Sequence, residues 1–295
     1  MLMSRFITLL MMFFIVFSAF AEPKTNITGT VEWDTMLIRA EVSLDLASAG
    51  LRLPAGRSQG ESYLNESYLR LIRPGILNLQ ADSSSTLADL VARGEFSLSE
   101  IETLALRANS VPPALSPDMR FMSSSWTIPV SGISSALMRH NRPSPIIRTL
   151  NPVSAAQFTG IVIIASENLP VHGMRSTALP VPCLFPKIWD SDMNLIYERS
   201  MLETRDIPVV RYSPPQGIFQ NNPSGLSPEL REIVGDRPLR IFATGVFGIK
   251  PTDLIIHRND AMLIISSEEN RRLLSQGRVA IILDESVLRY NFSGE

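Results

Sequence analysis

The sequence predicts an α+β fold, in which an N-terminal strand hairpin with helices is followed by a mixed α/β domain. Three observations predict it. Apolar and polar residues alternate over residues 27–33 and 36–46, the pattern of strands with one buried face. Helix-start signals follow over residues 58–100. Short apolar runs at residues 161–165 and 279–283 then predict buried strands in the second half.

The first half begins with a hairpin, whose turn falls at Asp34 and Thr35. Three strings then predict helix starts. These are Ser58-Gln-Gly-Glu61, read as a capping box, Thr86-Leu-Ala-Asp89, followed by the stop signal Gly94, and Ser97-Leu-Ser-Glu100. Residues 64, 68, 71 and 72 share one apolar helix face, and Pro74-Gly75 is expected to end or kink that helix. Residues 119–137 return to strand character.

The chain divides best at residues 141–152, where three prolines block helix and interrupt sheet ladders. The expected organisation is a signal peptide over residues 1–21, an N-terminal α+β domain over residues 22–150 and a C-terminal mixed α/β domain over residues 151–295.

In the second half, strands are predicted at residues 159–165, 239–249, 254–256 and 278–283, the last being the final strand, with a hairpin over residues 184–198. Helices are predicted from Ser227-Pro228 to Gly235, from a cap at Asn259 or Asp260 to Ile265, and over residues 268–275.

The first 21 residues have the layout of a secretory signal peptide. Arg5 provides the positive charge, residues 6–17 form an apolar run, and Ala19-Phe20-Ala21 is a cleavage motif. The apolar run is shorter than the roughly 20 residues of a membrane-spanning helix. We therefore expect export to the periplasm with cleavage after Ala21; the alternative is retention as an N-terminal anchor.

Charge and cysteine content limit the partners and the covalent crosslinks that this protein can have. The formal net charge is −2, which becomes −3 after removal of Arg5, so no electrostatic argument supports a nucleic-acid partner. Cys183 is the single cysteine and precludes an internal disulfide. It lies in an apolar segment and is expected to be a buried, inert thiol, with intermolecular pairing as the alternative. No membrane span is expected after signal cleavage.

The sharpest catalytic motif is Gly56-Arg-Ser58-Gln-Gly60, which has the G-x-S-x-G form of a hydrolase nucleophile elbow. The segment before it is too short and too broken by Pro54 for a central strand, and Ser58 already has a structural role as a predicted helix cap. A serine hydrolase using Ser58 therefore stays an alternative and not the main hypothesis.

Other motifs favour structural roles. Asp190-Ser-Asp192-Met-Asn194 resembles the start of a calcium loop but lacks its glycine and its final glutamate, so it is interpreted as a polar turn. His140, His172 and His257 have no metal-ligand spacing. The sequence thus predicts no catalytic residue, no metal site and no cofactor site.

The second half resembles a bacterial exported-protein family related to small outer-membrane lipoproteins and flagellar assembly protein T, found in spirochaetes and proteobacteria. The resemblance extends over residues 157–284. It is carried by Phe-Thr-Gly-Ile-Val-Ile at residues 158–163, Leu-Pro-Val-Pro at 179–182, Pro-Lys-Ile-Trp-Asp at 186–190 and Leu-Ile-Tyr at 195–197, and then by residues 239–248, 253–256, 260–261 and 278–284. The resemblance implies a non-enzymatic envelope or flagellum-associated protein.

The main hypothesis is therefore an exported, non-enzymatic envelope protein with a structural or assembly role, whose partners are envelope or flagellar proteins. A serine hydrolase and a periplasmic ligand-binding module are the alternatives. Partners are expected to add to an edge strand. Residues 239–256 are the candidate edge, unless they lie at the centre of the sheet.

Overall fold

The computed structural model describes residues 24–140 and 142–294. The predicted signal peptide, residues 1–21, lies outside the described residues. The described part confirms the α+β class, with a strand hairpin and helices first and a mixed sheet second. No helix in this part is both long and apolar enough to cross a membrane.

The first half is built on an antiparallel sheet. Its own strands are β1 (Thr25–Glu32), β2 (Leu37–Asp45), β3 (Asn109–Ser110), β4 (Ala114–Leu115) and β5 (Phe121–Pro129). The predicted hairpin is confirmed, because β1 and β2 pair in register from Thr25↔Leu44 to Glu32↔Leu37. Alternate residues of β2 are buried, so this sheet has one core face.

Helix α1 (Arg57–Leu77) covers that face. Its predicted start at Ser58 is wrong. The backbone N–H of Gly56 already donates to Arg52 O, and that of Arg57 donates to Pro54 O, so the chain has begun to turn before Ser58. The N-cap residue is Gly56, without a side-chain cap, and Glu61 forms an ion pair with Arg57 (Nε–Oε1, 3.2 Å) instead of closing a capping box.

The buried face of α1 is the predicted one, since Leu64, Tyr68, Leu71 and Ile72 are all buried. The helix does not end at Pro74-Gly75 but continues to Leu77. Packing of α1 against β1 and β2 outweighs the backbone hydrogen bond that a proline removes.

Two further helices start as predicted. Helix α2 (Leu87–Ala92) begins with a complete capping box of Thr86 and Asp89, and α3 (Leu98–Leu106) begins with one of Ser97 and Glu100. The strand predicted over residues 119–137 is only half right. Strand β5 ends at Pro129, and α4 (Val130–Leu137) follows, because Val130, Ile133 and Leu137 turn to one buried helical face.

The second half contains a seven-stranded mixed sheet in the order β10-β9-β13-β12-β6-β14-β11. Its strands are β6 (Ile161–Ile164), β9 (Ile188–Asp190), β10 (Leu195–Tyr197), β11 (Arg211–Ser213), β12 (Leu239–Phe247), β13 (Asp253–Ile256) and β14 (Val279–Ile282). The four strands β12, β6, β14 and β11 are mutually parallel. A small hairpin of β7 (Leu169–Pro170) and β8 (Thr177–Ala178) lies beside β12.

Residues 239–256 contribute β12 and β13, which are interior strands. The prediction that they form an edge is therefore wrong, and the alternative that they lie at the centre is correct. The edges of this sheet are β10 and β11.

Both faces of β6, at the centre of this sheet, are covered. Ile161 and Ile163 of β6 face the main core, while Val162 faces a second cluster with Leu230 and Val234 of α5 (Pro228–Val234). Helix α5 starts at the predicted cap, because the Ser227 side chain accepts a hydrogen bond from the Leu230 N–H, and it ends at Gly235.

Helices α6 (Arg258–Ile265) and α7 (Glu268–Ser275) complete the second half. The predicted cap of α6 at Asn259 or Asp260 is wrong. The cap is His257, whose Nδ1 accepts a hydrogen bond from the Asn259 N–H at 3.1 Å. An imidazole can take this role because its unprotonated nitrogen is an acceptor.

The strand predicted to be the last, β14, is followed by β15 (Arg289–Gly294). Strand β15 pairs antiparallel with β1, from Ile27↔Gly294 to Glu32↔Arg289, and so extends the sheet of the first half. The Phe292 ring fills the space above Gly29 of β1 and Gly75 of α1, where any Cβ would come closer than 3 Å to it. The two glycines thus make room for the returning strand.

The two halves share one apolar core and a polar contact at Asp253. The Asp253 carboxylate is buried. Its Oδ2 accepts from Ser83 Oγ of the first half (3.2 Å) and from Trp189 Nε1 (3.3 Å), while Oδ1 accepts from the Lys187 N–H (3.2 Å). Burial raises the pKa of Asp253, against the lowering effect of these hydrogen bonds. Asp253 therefore joins the halves at an electrostatic cost that several donors offset.

Candidate functional site

Ser58 lies in the first turn of α1, without the setting of a nucleophile elbow. The preceding strand, β2, ends at Asp45 and is separated from Ser58 by a turn-rich segment. Within the described part of the chain, no hydrogen bond links its hydroxyl to a histidine. Its backbone oxygen accepts from Ser62 Oγ at 3.2 Å, an ordinary intrahelical contact.

The three histidines occupy separate places. His140 Nε2 lies 3.0 Å from Leu202 O, His172 packs edge-on against Phe247, and His257 caps α6. Over residues 24–140 and 142–294, no three His, Cys, Asp or Glu side chains are placed to hold a metal ion.

The polar turn at residues 190–194 is confirmed. Asp190 Oδ1 accepts from the N–H groups of Asp192 (2.9 Å) and Asn194 (2.8 Å), so the carboxylate that a calcium loop would use closes a hairpin instead. Cys183 is buried as predicted, and burial raises the pKa of its thiol far above the ordinary value. A thiol so protonated is a poor nucleophile.

A groove at the junction of the two halves is the strongest candidate for a binding site. We call it the junction groove. It has a volume of about 970 Å³, within the size range of small-molecule sites. Its walls are edge strand β11, helix α5, the segment Gln276–Arg278 before β14, and the β1–β2 turn at Asp34 and Thr35.

Two arginines lie on the same side of this groove. Arg211 faces Ala280 across the β11–β14 pair, and Arg278 precedes Ala280 by two residues, so both side chains leave the same face of the sheet. Strand spacing and rise per residue place their Cα atoms about 8 Å apart.

Neither guanidinium has a hydrogen bond or an ion-pair partner within the described residues. Arg278 Nε is fully buried without a hydrogen-bond partner. Arg211 is partly buried, and this burial lowers the pKa of its guanidinium. Glu232, which forms no ion pair with Arg211 among the described residues, partly offsets this effect because its negative charge raises the pKa. A partly desolvated guanidinium without a partner is costly, which makes it a candidate anion site.

Acidic side chains occupy the other end of the groove. Glu229 lies in the first turn of α5, and the cap residue of this helix, Ser227, donates its N–H to the backbone oxygen of Gly217 in the short 3-10 helix that follows β11. The opposite end of α5, at Gly235, lies against the Arg278 guanidinium. From Glu229 to Gly235 the helix rises about 9 Å. The groove therefore runs from a carboxylate end to an arginine end.

The sequence reasoning missed this groove. Arg211 and Arg278 are 67 positions apart and become neighbours through the parallel pairing of β11 with β14. A signal exists for Arg278, which directly precedes the apolar strand β14, but β11 is Arg-Tyr-Ser and has no apolar run. The strand order that joins the two arginines is not written in either segment.

Two family models match the chain, one after the other. Residues 24–136 match the N-terminal domain of Treponema pallidum Tp0624, and residues 160–285 match the second domain of Tp0624. No curated protein matches the chain. The chain is thus similar to these two spirochaete domains, and neither match refers to a lipoprotein or to flagellar assembly protein T.

Proposed function

We propose that this protein is an exported, non-enzymatic envelope protein with a structural or assembly role, acting through protein–protein contacts. The signal-peptide pattern of residues 1–21 and the match to two spirochaete domains support this proposal. A flagellum-associated role, with flagellar proteins as partners, is one form of it.

The observation that carries the proposal is the exposed edge of the first sheet. Strand β15 is its edge strand, and Arg289, Tyr290, Asn291 and Ser293 are exposed along it. A cavity of about 860 Å³ borders the same strand. Unpaired backbone groups along an edge are available for strand addition by a partner. The contact surface proposed from sequence at residues 239–256 therefore moves to β15.

Site-specific photocrosslinking in intact cells tests this surface. A photoreactive phenylalanine analogue replaces Tyr290 on β15, and in the control strain it replaces Phe219, which is 78% exposed in the second half. We expect a discrete crosslinked envelope protein from position 290 and none from position 219. Equal crosslinking from both positions, or none from position 290, would contradict the proposed surface.

Export is tested separately by fractionation. We expect the mature protein in the fraction released by osmotic shock, with Glu22 as its first residue. A product that keeps residues 1–21 and sediments with membranes would support the anchor alternative instead.

A ligand-binding module is a second candidate function, and the junction groove favours it. A cleft of this volume with two unpaired guanidinium groups is what a small anionic or zwitterionic molecule requires. No comparable observation favours a hydrolase at Ser58.

A further inference from the structure

The charges of the junction groove are arranged along its length. The arginine end holds Arg278 and Arg211, and the carboxylate end holds Glu229. Glu232 lies between them on α5 and acts electrostatically on Arg211, without an ion pair between the two among the described residues. Asp34 of the first half adds a carboxylate to the wall. A simple anion would meet repulsion from these acids, so the groove fits a ligand that carries both charges.

The distance between the ends sets the size of the ligand. Glu229 and the Gly235 end of α5 are about 9 Å apart along the helix. An extended tripeptide spans about 10 Å. A free amino acid is too short to reach both ends, and a tripeptide has its ammonium and carboxylate groups at the required separation.

We propose that the junction groove binds a short zwitterionic peptide of about three residues, with its carboxylate on Arg211 and Arg278 and its ammonium group at Glu229. The planar guanidinium fork matches a carboxylate and compensates the desolvation of both arginines. This ligand belongs to the second candidate function, and its binding is independent of the partner proposed for β15.

Isothermal titration with four probes tests the proposal on the full mature chain. The probes are trialanine, trialanine amide, N-acetyl-trialanine and inorganic phosphate. We expect trialanine to bind, the amide to bind about tenfold more weakly because it lacks the carboxylate, and the acetylated peptide also to bind more weakly because it lacks the ammonium group. Phosphate alone should bind more weakly than trialanine, since the acids of the groove repel it.

Variants then test whether the arginines bind the carboxylate of the peptide. Arg278→Gln is expected to lower the affinity for trialanine about tenfold and to leave the affinity for trialanine amide unchanged, because the amide never engages the guanidinium. Arg175→Gln, at an exposed arginine in the same half, is the matched control and should change neither affinity. If Arg278→Gln fails to fold, Arg211→Lys keeps a positive charge, removes the fork, and should show the same selective loss.

Three results would overturn the inference. They are equal binding of the free acid and the amide, equal binding of phosphate and trialanine, and no heat of binding for any peptide at millimolar concentration. None of them bears on crosslinking from Tyr290, so this inference and the envelope role can fail separately.

Discussion

Strand β2 of the first sheet and strand β6 of the second use their side chains differently. In β2, every second residue is buried and the others face solvent or are partly exposed. In β6, Ile161, Val162 and Ile163 are all buried, because the main core covers one face and α5 covers the other. A strand with one open face, such as β2, tolerates polar residues at alternate positions, whereas β6, which is covered on both faces, contains only apolar residues.

The largest expected effect comes from introducing a lysine into each sheet. Val162→Lys in β6 buries an unpaired charge and should lower the free energy of unfolding by at least about 4 kcal/mol. Thr28→Lys in β1 places the ammonium group on the open face, opposite Glu41. This variant should change the free energy of unfolding by less than about 0.5 kcal/mol. Urea denaturation followed by circular dichroism measures both. Equal losses would mean that the first sheet has no open face.

The next effect concerns the polar contact between the two halves at Asp253. In Asp253→Asn, an amide NH₂ group replaces one of the two carboxylate oxygens. In one orientation of the amide this NH₂ faces the donors of Ser83 and Trp189, and in the other it faces the Lys187 N–H, so that donor meets donor in both. Loss of these bonds should lower the free energy of unfolding by about 3 kcal/mol. Ser84→Ala, next to Ser83 but bonded within its own turn, is the control. A variant as stable as the wild type would show that Asp253 does not join the halves.

Asp253 also predicts a pH dependence. Its pKa is raised in the folded state, so between the ordinary value of about 4 and the raised value the folded protein holds more protons than the unfolded chain. The contribution of Asp253 to stability is therefore greatest below this window and falls as the pH rises through it. The difference in unfolding free energy between wild type and Asp253→Asn, measured across the window, should show this fall.

The third effect concerns the returning strand. Phe292→Ala leaves a gap above Gly29 and Gly75 and should lower the free energy of unfolding by about 2 kcal/mol, less than for a fully buried phenylalanine. Phe121→Ala, at a partly exposed phenylalanine of β5, should cost less. Hydrogen exchange should show faster exchange in β1 for the Phe292 variant. Unchanged exchange there would contradict the pairing of β15 with β1.

The smallest expected effect is a difference in stability between alanine variants of two serines in the first half. Ser97→Ala removes a complete capping box and should cost about 1 kcal/mol. Ser58→Ala removes no cap and should cost less than about 0.5 kcal/mol. Thermal unfolding of both variants measures the difference. An equal cost would restore Ser58 as the cap of α1.

The sequence is informative where structure depends on local chemistry. The turn that closes the β1–β2 hairpin between Glu32 and Leu37, the caps at Thr86, Ser97 and Ser227, and the turn at Asp190 all depend on residues within five positions of one another. Predictions from the sequence fail where packing against a segment distant in the sequence determines the local structure. Helix α1 continues through Pro74 because it packs on a sheet, and residues 130–137 form a helix because the sheet ends at Pro129.

The candidate site could not be predicted from local sequence patterns, because contacts between distant segments form it. Arg211 and Arg278 meet through strand order, and Asp34 reaches the groove from the other half of the molecule. Composition and spacing describe each residue but not the neighbour that it acquires on folding. The motif that did stand out in the sequence, around Ser58, is an ordinary helix start.

The pairing of Ile27 with Gly294 brings the two ends of the described chain side by side. A short linker between residues 24 and 294 would therefore close the chain into a ring without breaking a strand pair. Residues 142–157 form neither helix nor strand, so new ends could be opened there. The protein should tolerate such a circular permutation, and the permuted chain would then carry the segments matched at residues 24–136 and 160–285 in reverse order, with β15 leading through the linker into β1.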